Sequence, residues 1–260
     1  MKLHINQADL AEGINIVMKA VPSKTTMTIL ECILIDARSQ NIRLTGNDME
    51  IGIETIVEGS IEEKGWIALD AKFFSEMVRK LPHSVVTIET NDRSRALITC
   101  EKARFEIPGR DAEEYTPLPV IEKEESVAVS QFSLKEIVRQ TFFAAAVNEN
   151  NKMMTGELLE IKDNKMKLSA LDGHRIAIRS IELNEECPDK KVVVPGKTLN
   201  EISKIVSGEM SDMVRIHFSE NYLLFEFDKT KVLSRLIEGE YFRIEHMIST
   251  DYETKVVINR

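Results

Sequence analysis

The sequence repeats itself at a spacing of 124 residues. The segment INQADLAEGINIVMKAV near the N-terminus aligns with VSQFSLKEIVRQTFFAA, so that Leu10 matches Leu134. Further along, LTGND ends at Asp48 and LSALD ends at Asp172, at the same spacing. A repeat of this length is typical of proteins built from stacked or ringed copies of one domain.

The spacing grows by one residue after the Asp-Gly-His-Arg sequence of copy two. There IALDAKFFSEMVRKL matches VVVPGKTLNEISKIV, which places Lys72 on Lys197. The last residues, KVVINR, resemble KLHINQ of copy one and SVAVSQ of copy two, so we expect a third copy that is cut off at Arg260. The sequence TPLPVIEKEES, with two prolines and a charge run, indicates the boundary between the first two copies. The predicted domains are 1–120 and 121–249, followed by the first strand of a truncated third domain at 250–260.

Each copy is predicted to contain two amphipathic helices among several strands. Leu10, Ile14 and Val17 recur at helical spacing, and proline follows the end of both helices of copy one. The helices are expected at about 8–21, 71–81, 134–145 and 198–206. Strands are expected at 2–6, 29–37, 41–45, 50–57, 85–89, 95–100 and 104–107, through Leu158, Met166 and Ile176, and at 214–218, 222–227 and 232–237. Helices packed on antiparallel sheets in a duplicated unit form an α+β fold.

Composition excludes several classes of protein. With 43% hydrophobic and 30% charged residues the chain has a globular profile, and it contains no apolar run of the roughly 18 residues that a membrane span needs. We expect a cytoplasmic protein without membrane contact. The three cysteines are far apart, which favours reduced thiols over disulfides or a zinc site, and the sequence predicts no metal and no cofactor.

The charge is unevenly distributed along the sequence. The whole chain carries a net charge of −9, but the four predicted helices and their starts carry eight basic against five acidic residues. If these helices face one side, that side is suited to hold phosphates without reading bases. The alternative is ordinary solvated helix faces with i,i+4 pairs. The basic residues are Lys19, Lys72, Arg79, Lys80, Lys135, Arg139, Lys197 and Lys204.

Four motifs resemble the bacterial sliding clamp family, the beta subunit of DNA polymerase III. They are KLSALDGHRIAIRSI, VPSKTTMTILECILI, VVVPGKTLNEI and SRLIEGEYFRIEHMI, and the likeness runs through essentially the whole chain. The resemblance implies tandem repeats of the DNA clamp fold, three per full-length chain. It further implies that two chains close head to tail as a homodimer ring around double-stranded DNA, independent of sequence, and tether the polymerase.

Family position implies DNA contacts at Lys24, Lys72, Asn148 and Lys197. Around Asn148 the sequence NENNKM differs from the sequences with arginine and proline that are commoner in the family at this position. Helix charge adds a second group of candidate DNA contacts, namely Arg79, Lys80, Lys135, Arg139 and Lys204.

The resemblance also implies a hydrophobic pocket for a short extended motif rich in Gln, Leu and Phe. This motif belongs to the DNA polymerase III alpha subunit, the clamp loader and other clamp-motif proteins of replication and repair. The matching residues are Met154, Leu171, Gly173, His174, Arg175, Ile176, Phe242, His246 and Met247. The alternative for Asp172 and His174 is a turn between two strands, in which the aspartate accepts backbone hydrogen bonds. Asp48 of copy one favours that interpretation for the aspartate.

The strand 103–107 is the implied dimer interface, because in the family it pairs with the third domain of the neighbouring chain. Its candidate residues are Arg104, Phe105 and Ile107. The alternative is an ordinary edge strand that Lys102 and Glu106 protect.

Two other functions compete with the clamp. An enzyme could use Asp172, His174 and Arg175, but the sequence has no Gly-rich phosphate loop, nucleophile elbow or metal-spaced cluster, so we expect a non-catalytic protein. A clamp-derived interaction scaffold without DNA encirclement differs in predicting that Lys24→Glu and Lys72→Glu leave function unchanged.

Overall fold

The computed structural model describes residues 1–91, 93–123, 125–147, 151–248, 253–254 and 256. Asn148, and most of the strand expected at 250–260, lie outside the described residues. No helix in the described ranges is long and apolar enough to cross a membrane.

The helices of copy one form where the apolar spacing predicts them. Helix α1 (Gln7–Val17) buries Leu10 and Ile14, continues as a 3₁₀ turn and ends before Pro22. Helix α2 (Ala71–Arg79) buries Phe74 on one face. The Asp70 carboxylate accepts a hydrogen bond from the Phe73 amide at 2.8 Å, which caps the first turn.

The described part of copy one contains nine strands. They are β1 (Lys2–Asn6), β2 (Cys32–Asp36), β3 (Ile42–Asn47), β4 (Ile51–Val57), β5 (Ser60–Glu63), β6 (Trp66–Asp70), β7 (Val85–Thr90), β8 (Arg95–Cys100) and β9 (Ala103–Arg110).

Copy two repeats this order with two long helices and one short one. They are α3 (Gln131–Thr141), α4 (Lys152–Thr155) and α5 (Gly196–Ile205). Its strands are β10 (Glu125–Ser130), β11 (Gly156–Lys162), β12 (Lys165–Leu171), β13 (Ile176–Glu182), β14 (Lys190–Pro195), β15 (Met213–Phe218), β16 (Tyr222–Phe227) and β17 (Thr230–Arg235).

The predicted α+β class of helices on antiparallel sheets is confirmed, with several elements that the sequence patterns did not predict. Strands β6 and β14 lead directly into helices, so their apolar runs resemble helix starts. Strand β5 has one apolar residue in four, and α4 is a single turn. The strand expected at 29–37 begins instead with a 3₁₀ turn (Thr28–Glu31), and only its second half is extended.

All strand pairs are antiparallel, and they form two sheets. A thirteen-stranded sheet has the order β10-β15-β16-β17-β4-β3-β2-β6-β9-β8-β7-β1-β5, and a four-stranded sheet has the order β13-β12-β11-β14. Helices α1 and α3 pack on β4 and β13 respectively. The main apolar core lies between helices and sheets in both copies.

Strands β4 and β17 join the two copies. Thr55 lies opposite Thr230, and the pairing continues to Ile51 and Ser234. The Thr55 and Thr230 hydroxyls are buried and 2.8 Å apart. Because these strands are hydrogen-bonded across the boundary, the large sheet is continuous from one copy to the other.

One carboxyl group in copy two is buried without an ion-pair partner in the described residues. Glu157 on β11 is fully buried, and neither of its side-chain oxygens has a hydrogen-bond partner there. Burial raises the pKa of Glu157 to about 7 and outweighs the opposing effect of the Thr141 hydroxyl. That hydroxyl donates to the Ile137 carbonyl at 2.9 Å instead. Glu157 is therefore most stable in its protonated form.

Stability is expected to fall between pH 5 and pH 8 because of Glu157. Its raised pKa means that its contribution is complete below the ordinary value of 4.5 and is lost as pH rises through about 7. The loss is on the order of 3 kcal/mol. Thermal melts at several pH values should show a flatter slope for Glu157→Gln. The control Glu160→Gln, a half-exposed site on the same strand, should keep the wild-type slope, and equal slopes for all three proteins would contradict this assignment.

Candidate functional site

The four long helices form one row across the two copies. Helix α1 packs against α2, and α3 packs against α5. Between α1 and the end of α5 lies a cleft of about 270 Å³, lined by Gly13, Ile16 and Ile205 among others. The helices therefore follow one another in the order α2, α1, α5, α3.

The cations predicted in copy one are exposed. Lys24 follows the first helix, Lys72 lies in the first turn of α2, and Lys80 follows the last turn of α2. Within the described ranges these three ammonium groups form no ion pair. Arg79 is also exposed, and its guanidinium donates to the Ser75 hydroxyl at 3.0 Å. Copy one thus presents unneutralised positive charge along its helices.

The cations predicted in copy two mostly have carboxylate partners. Lys197 Nζ lies 2.5 Å from Asp48 Oδ2 of copy one. Lys204 pairs with Glu201 at 2.6 Å. Such pairs lower the net positive charge that this part of the row offers to an anion.

Arg139 and Lys135 are engaged in other ways. Arg139 donates to both oxygens of Glu136, at 2.8 and 2.7 Å, and this pairing holds the pKa of Glu136 below its usual range. Lys135 is half-buried, and its ammonium donates to the Val206 carbonyl just after the end of α5 at 3.4 Å. Lys135 therefore has a structural role at that helix end.

Asp48 organises the turn between β3 and β4. Its Oδ1 accepts hydrogen bonds from the amides of Glu50 at 3.0 Å and Ile51 at 2.7 Å. The turn places Met49 at φ 75°, in the left-handed region. This leaves Oδ2 free to reach Lys197 of the other copy.

Asp172 likewise accepts the backbone hydrogen bonds of a turn in copy two, as the turn interpretation predicts. Its Oδ1 accepts from the amides of His174 and Arg175 at 3.1 and 3.2 Å. Its Oδ2 accepts from Arg175 Nε at 2.8 Å. The His174 amide is the largest cause that holds the pKa of Asp172 below its usual range. The two aspartates differ only in whether the cation comes from the same turn or from the other copy.

The segment that leaves copy two (residues 236–248, the exit segment) packs on the sheet face away from the helices. Tyr241 and Ile244 of this segment are buried against Leu158, Leu171 and Val193. The Tyr241 hydroxyl donates to the Gly156 carbonyl at 3.2 Å, and burial raises the pKa of Tyr241 to about 12. The exit segment is therefore held in place and forms one wall of a groove.

The groove lies between the exit segment and strand β13. Its cavity is about 70 Å³, and Ile178, Phe242 and Ile248 line it together with Leu158 and Ile244. Ile178 and Ile248 are exposed at its rim. Polar and charged side chains, among them Glu160, Lys167 and Glu245, complete its lining. A groove with apolar and polar walls suits an extended peptide whose apolar side chains alternate with polar ones.

The structure brings together part of the predicted pocket. Met154, Leu171, Ile176 and Phe242 belong to the one apolar cluster. The residues of the exposed turn and of the end of the exit segment lie outside that cluster, namely Gly173, His174, Arg175, His246 and Met247.

The structure corrects the prediction that Leu171 offers apolar contact to a bound peptide. Its side chain is buried because it ends strand β12 on the sheet face that the exit segment covers. It supports the groove but offers no open surface. Gly173 has φ 85°, and no heavy atom lies within 4 Å of a Cβ built on it, so the turn leaves open space for a peptide.

Sequence reasoning missed three residues of the buried cluster that supports the groove: Leu158, Val193 and Ile244. The repeat contained a signal for two of them. Leu34 and Ala68 belong to a buried cluster of copy one, at the positions that the repeat aligns with Leu158 and Val193, and Tyr115 is buried in the same cluster.

The predicted dimer strand corresponds to β9, and one of its candidates is not accessible. Arg104 and Phe105 are exposed, whereas Ile107 is buried in the core of its own copy. The reason is its place opposite Ala96, on the inward face of β8 and β9. The side chain of Ile107 is therefore unavailable to a partner, whereas the backbone edge of the strand is available.

The residues on which the enzyme alternative depends are held in a turn in the described part of the chain. No group of three or more His, Cys, Asp or Glu side chains in those ranges could hold a metal ion. Both Asp172 oxygens are engaged in the turn. Cys32 is buried, and burial raises the pKa of its thiol to about 11, which disfavours a nucleophilic thiolate.

Two family models match this chain. The N-terminal domain of the DNA polymerase III beta subunit matches residues 1–119, and its central domain matches residues 128–242. Among curated relatives, the beta sliding clamp of Bacillus subtilis is 36% identical over 268 residues, which cover all of this chain and 71% of the relative. The beta sliding clamp of Staphylococcus epidermidis is 34% identical with the same coverage.

Solved structures show the same likeness. A DNA polymerase III beta subunit from Eubacterium rectale superposes with a TM-score of 0.95 at 57% identity, covering 97% of this chain and 69% of that chain. The DNA polymerase sliding clamp of Bacillus subtilis superposes with a TM-score of 0.92 at 35% identity, covering 96% of this chain and 68% of that chain.

Proposed function

This chain belongs to the DNA polymerase III beta subunit family, the beta sliding clamps, and we propose that it forms part of a ring that encircles double-stranded DNA and tethers the replicative polymerase. The observation that supports this most directly is the row of four helices. Within the described residues it exposes cations without an ion-pair partner at Lys24, Lys72 and Lys80, on a chain whose net charge is −9. Exposed cations along one row of a net negative chain favour DNA on that side.

The DNA contact is proposed to be weak and independent of sequence. Contacts from lysine and arginine side chains to phosphate groups carry no base information. Copy one contributes Lys24, Lys72, Arg79 and Lys80 to the contact. In copy two the candidates Lys197, Arg139 and Lys204 are already paired with carboxylates. Weak contact suits a ring, because closure and not affinity keeps it on DNA.

The groove beside the exit segment is proposed to bind the partner peptide. Apolar Ile178, Ile248 and Phe242 would receive the Leu and Phe side chains, and His174 and Arg175 would contact the peptide from the exposed turn. The proposed partners are the polymerase alpha subunit, the clamp loader and other proteins with the same motif. In this account the chain has no catalytic role and uses no cofactor.

Ring closure is proposed to use the free edge of β9. This strand pairs with β8 along most of its length and with β6 only at Gly109 and Arg110, so its outer edge remains open along 103–107. Arg104 and Phe105 are exposed there. In the proposed domain division, 1–120 and 121–249 are two clamp domains and 250–260 begins a third. The homodimer ring needs that third domain.

Replacing two lysines of the helix row by glutamate should weaken DNA binding. Lys24→Glu with Lys72→Glu removes two phosphate contacts and adds repulsion. We expect roughly a tenfold or greater loss of affinity for a short duplex at low salt, and a log-log salt slope that is shallower by about 1.8. Fluorescence anisotropy of labelled duplex measures both quantities.

The matched control for this experiment is Lys102→Glu with Lys162→Glu. It makes the same charge change at exposed positions outside the helices. Equal losses for the two double variants would mean that only net charge matters. Unchanged binding in the helix variant would favour the interaction scaffold without DNA encirclement.

Placing a carboxylate in the groove should weaken peptide binding. Ile178→Asp puts an unpaired charge against apolar partner side chains, which costs about 1–3 kcal/mol, or roughly a 5- to 150-fold loss of affinity. The control is Met213→Asp on β15, because Met213 and Ile178 are both 44% exposed and Met213 does not line the groove. Titration with a fluorescent peptide rich in Gln, Leu and Phe should separate the two variants, and equal affinities would rule out this groove.

A further inference from the structure

An ion pair crosses the boundary between the two copies at a residue of the helix row. Lys197 Nζ lies 2.5 Å from Asp48 Oδ2, although the two residues are far apart in sequence. The Lys197 side chain is 57% exposed, whereas that of Asp48 is only 6% exposed. The carboxylate is therefore the fixed partner, and the ammonium is the partner that can turn toward solvent.

Asp48 is fixed by the backbone around it. Its Oδ1 accepts from the amides of Glu50 and Ile51, which begin the joining strand β4. The Glu50 carbonyl in turn accepts from the Arg235 amide of the other copy at 2.8 Å. A carboxylate held in this way cannot follow its lysine without breaking the turn.

The joint between the copies does not depend on this ion pair. Strand pairing between β4 and β17 holds the copies together, with the buried contact between Thr55 and Thr230 at its far end. Lys197 can therefore change partners while the copies keep their arrangement.

We propose that Asp48 competes with DNA phosphate for Lys197 and thereby weakens the DNA contact of copy two. This inference rests on the proposed function, since it concerns the same helix row. A phosphate that takes the ammonium leaves the Asp48 carboxylate nearly buried and without its cation, which costs free energy. The free energy gained when Lys197 binds a phosphate is thus partly offset by the cost of leaving Asp48 without its cation. This favours rapid release of DNA during sliding.

The aspartate of copy two provides an internal comparison. Asp172 lies at the matching position and makes the same backbone hydrogen bonds, but its Oδ2 pairs with Arg175 of its own turn. Changing Asp172 to Asn therefore repeats the chemistry of an Asp48 change without releasing Lys197.

Asp48→Asn tests the competition directly. The amide oxygen still accepts the two turn hydrogen bonds, and only the charge opposite Lys197 is lost. The affinity of the 260-residue chain for a short duplex at low salt should rise roughly two- to fivefold, the range expected when an exposed ion pair is released. The log-log salt slope should steepen by up to about 0.9, which is one phosphate contact. Asp172→Asn should bind as the wild type does.

A second variant keeps the test decisive if Asp48→Asn folds poorly in thermal melts. Lys197→Gln should reduce affinity less than Lys72→Gln does, because Asp48 already neutralises Lys197. Suppose that the wild-type chain binds duplex and that Lys72→Gln weakens this binding. The competition is then overturned, and the proposed function left intact, if Asp48→Asn binds no more tightly than the wild type. An equal loss of affinity for Lys197→Gln and Lys72→Gln has the same meaning. No binding of duplex by the wild-type chain at low salt overturns both.

Discussion

The pairing of β4 with β17 is the constraint on which the rest of the structure depends. It makes one thirteen-stranded sheet out of strands from two copies. Helix α1 packs on β4, so the position of this strand fixes where copy one presents its helices relative to copy two. The buried hydroxyls of Thr55 and Thr230 add specificity to the pairing, because an apolar replacement of one would leave the other without a partner.

The same turn serves two purposes in the two copies. In copy one, Asp48 holds its turn and reaches across the joint to Lys197. In copy two, Asp172 holds the equivalent turn and pairs with Arg175 of that turn, so the turn stays exposed. A duplicated scaffold has thus diverged where its surroundings differ, with a neighbouring copy in one case and an open surface in the other.

Much of the fold could be predicted from the sequence because it depends on local periodicity. The spacing of Leu10 and Ile14 predicts α1, and the prolines predict where the helices end. The sequence pattern did not predict strand β5, because its stability comes from pairing with β1 and not from its own side chains. In copy two, the Glu185 carboxylate accepts the Ala128 amide at 2.6 Å in place of that strand, and no repeat comparison predicts such a substitution.

The candidate site was less predictable, because its properties depend on contacts between distant segments. The burial of Leu171 and Ile107 follows from which strand face they occupy, and this is fixed by register. Lys72, which family position and helix charge both predict as a DNA contact, is exposed in the structure. Neither family position nor helix charge could indicate that Lys197 is paired, since its partner belongs to the other copy. The groove residues Tyr241 and Ile244 belong to a segment without strand or long-helix periodicity.

The central claim is that the two copies offer DNA a single row of helices. Lysine acetylation followed by mass spectrometry, with and without a short duplex at low salt, tests it most directly. The account predicts that duplex protects Lys24, Lys72 and Lys80 of copy one together with Lys197 of copy two, while Lys102 and Lys162 react equally in both conditions. Protection of Lys102 and Lys162, or of lysines from one copy only, would contradict it.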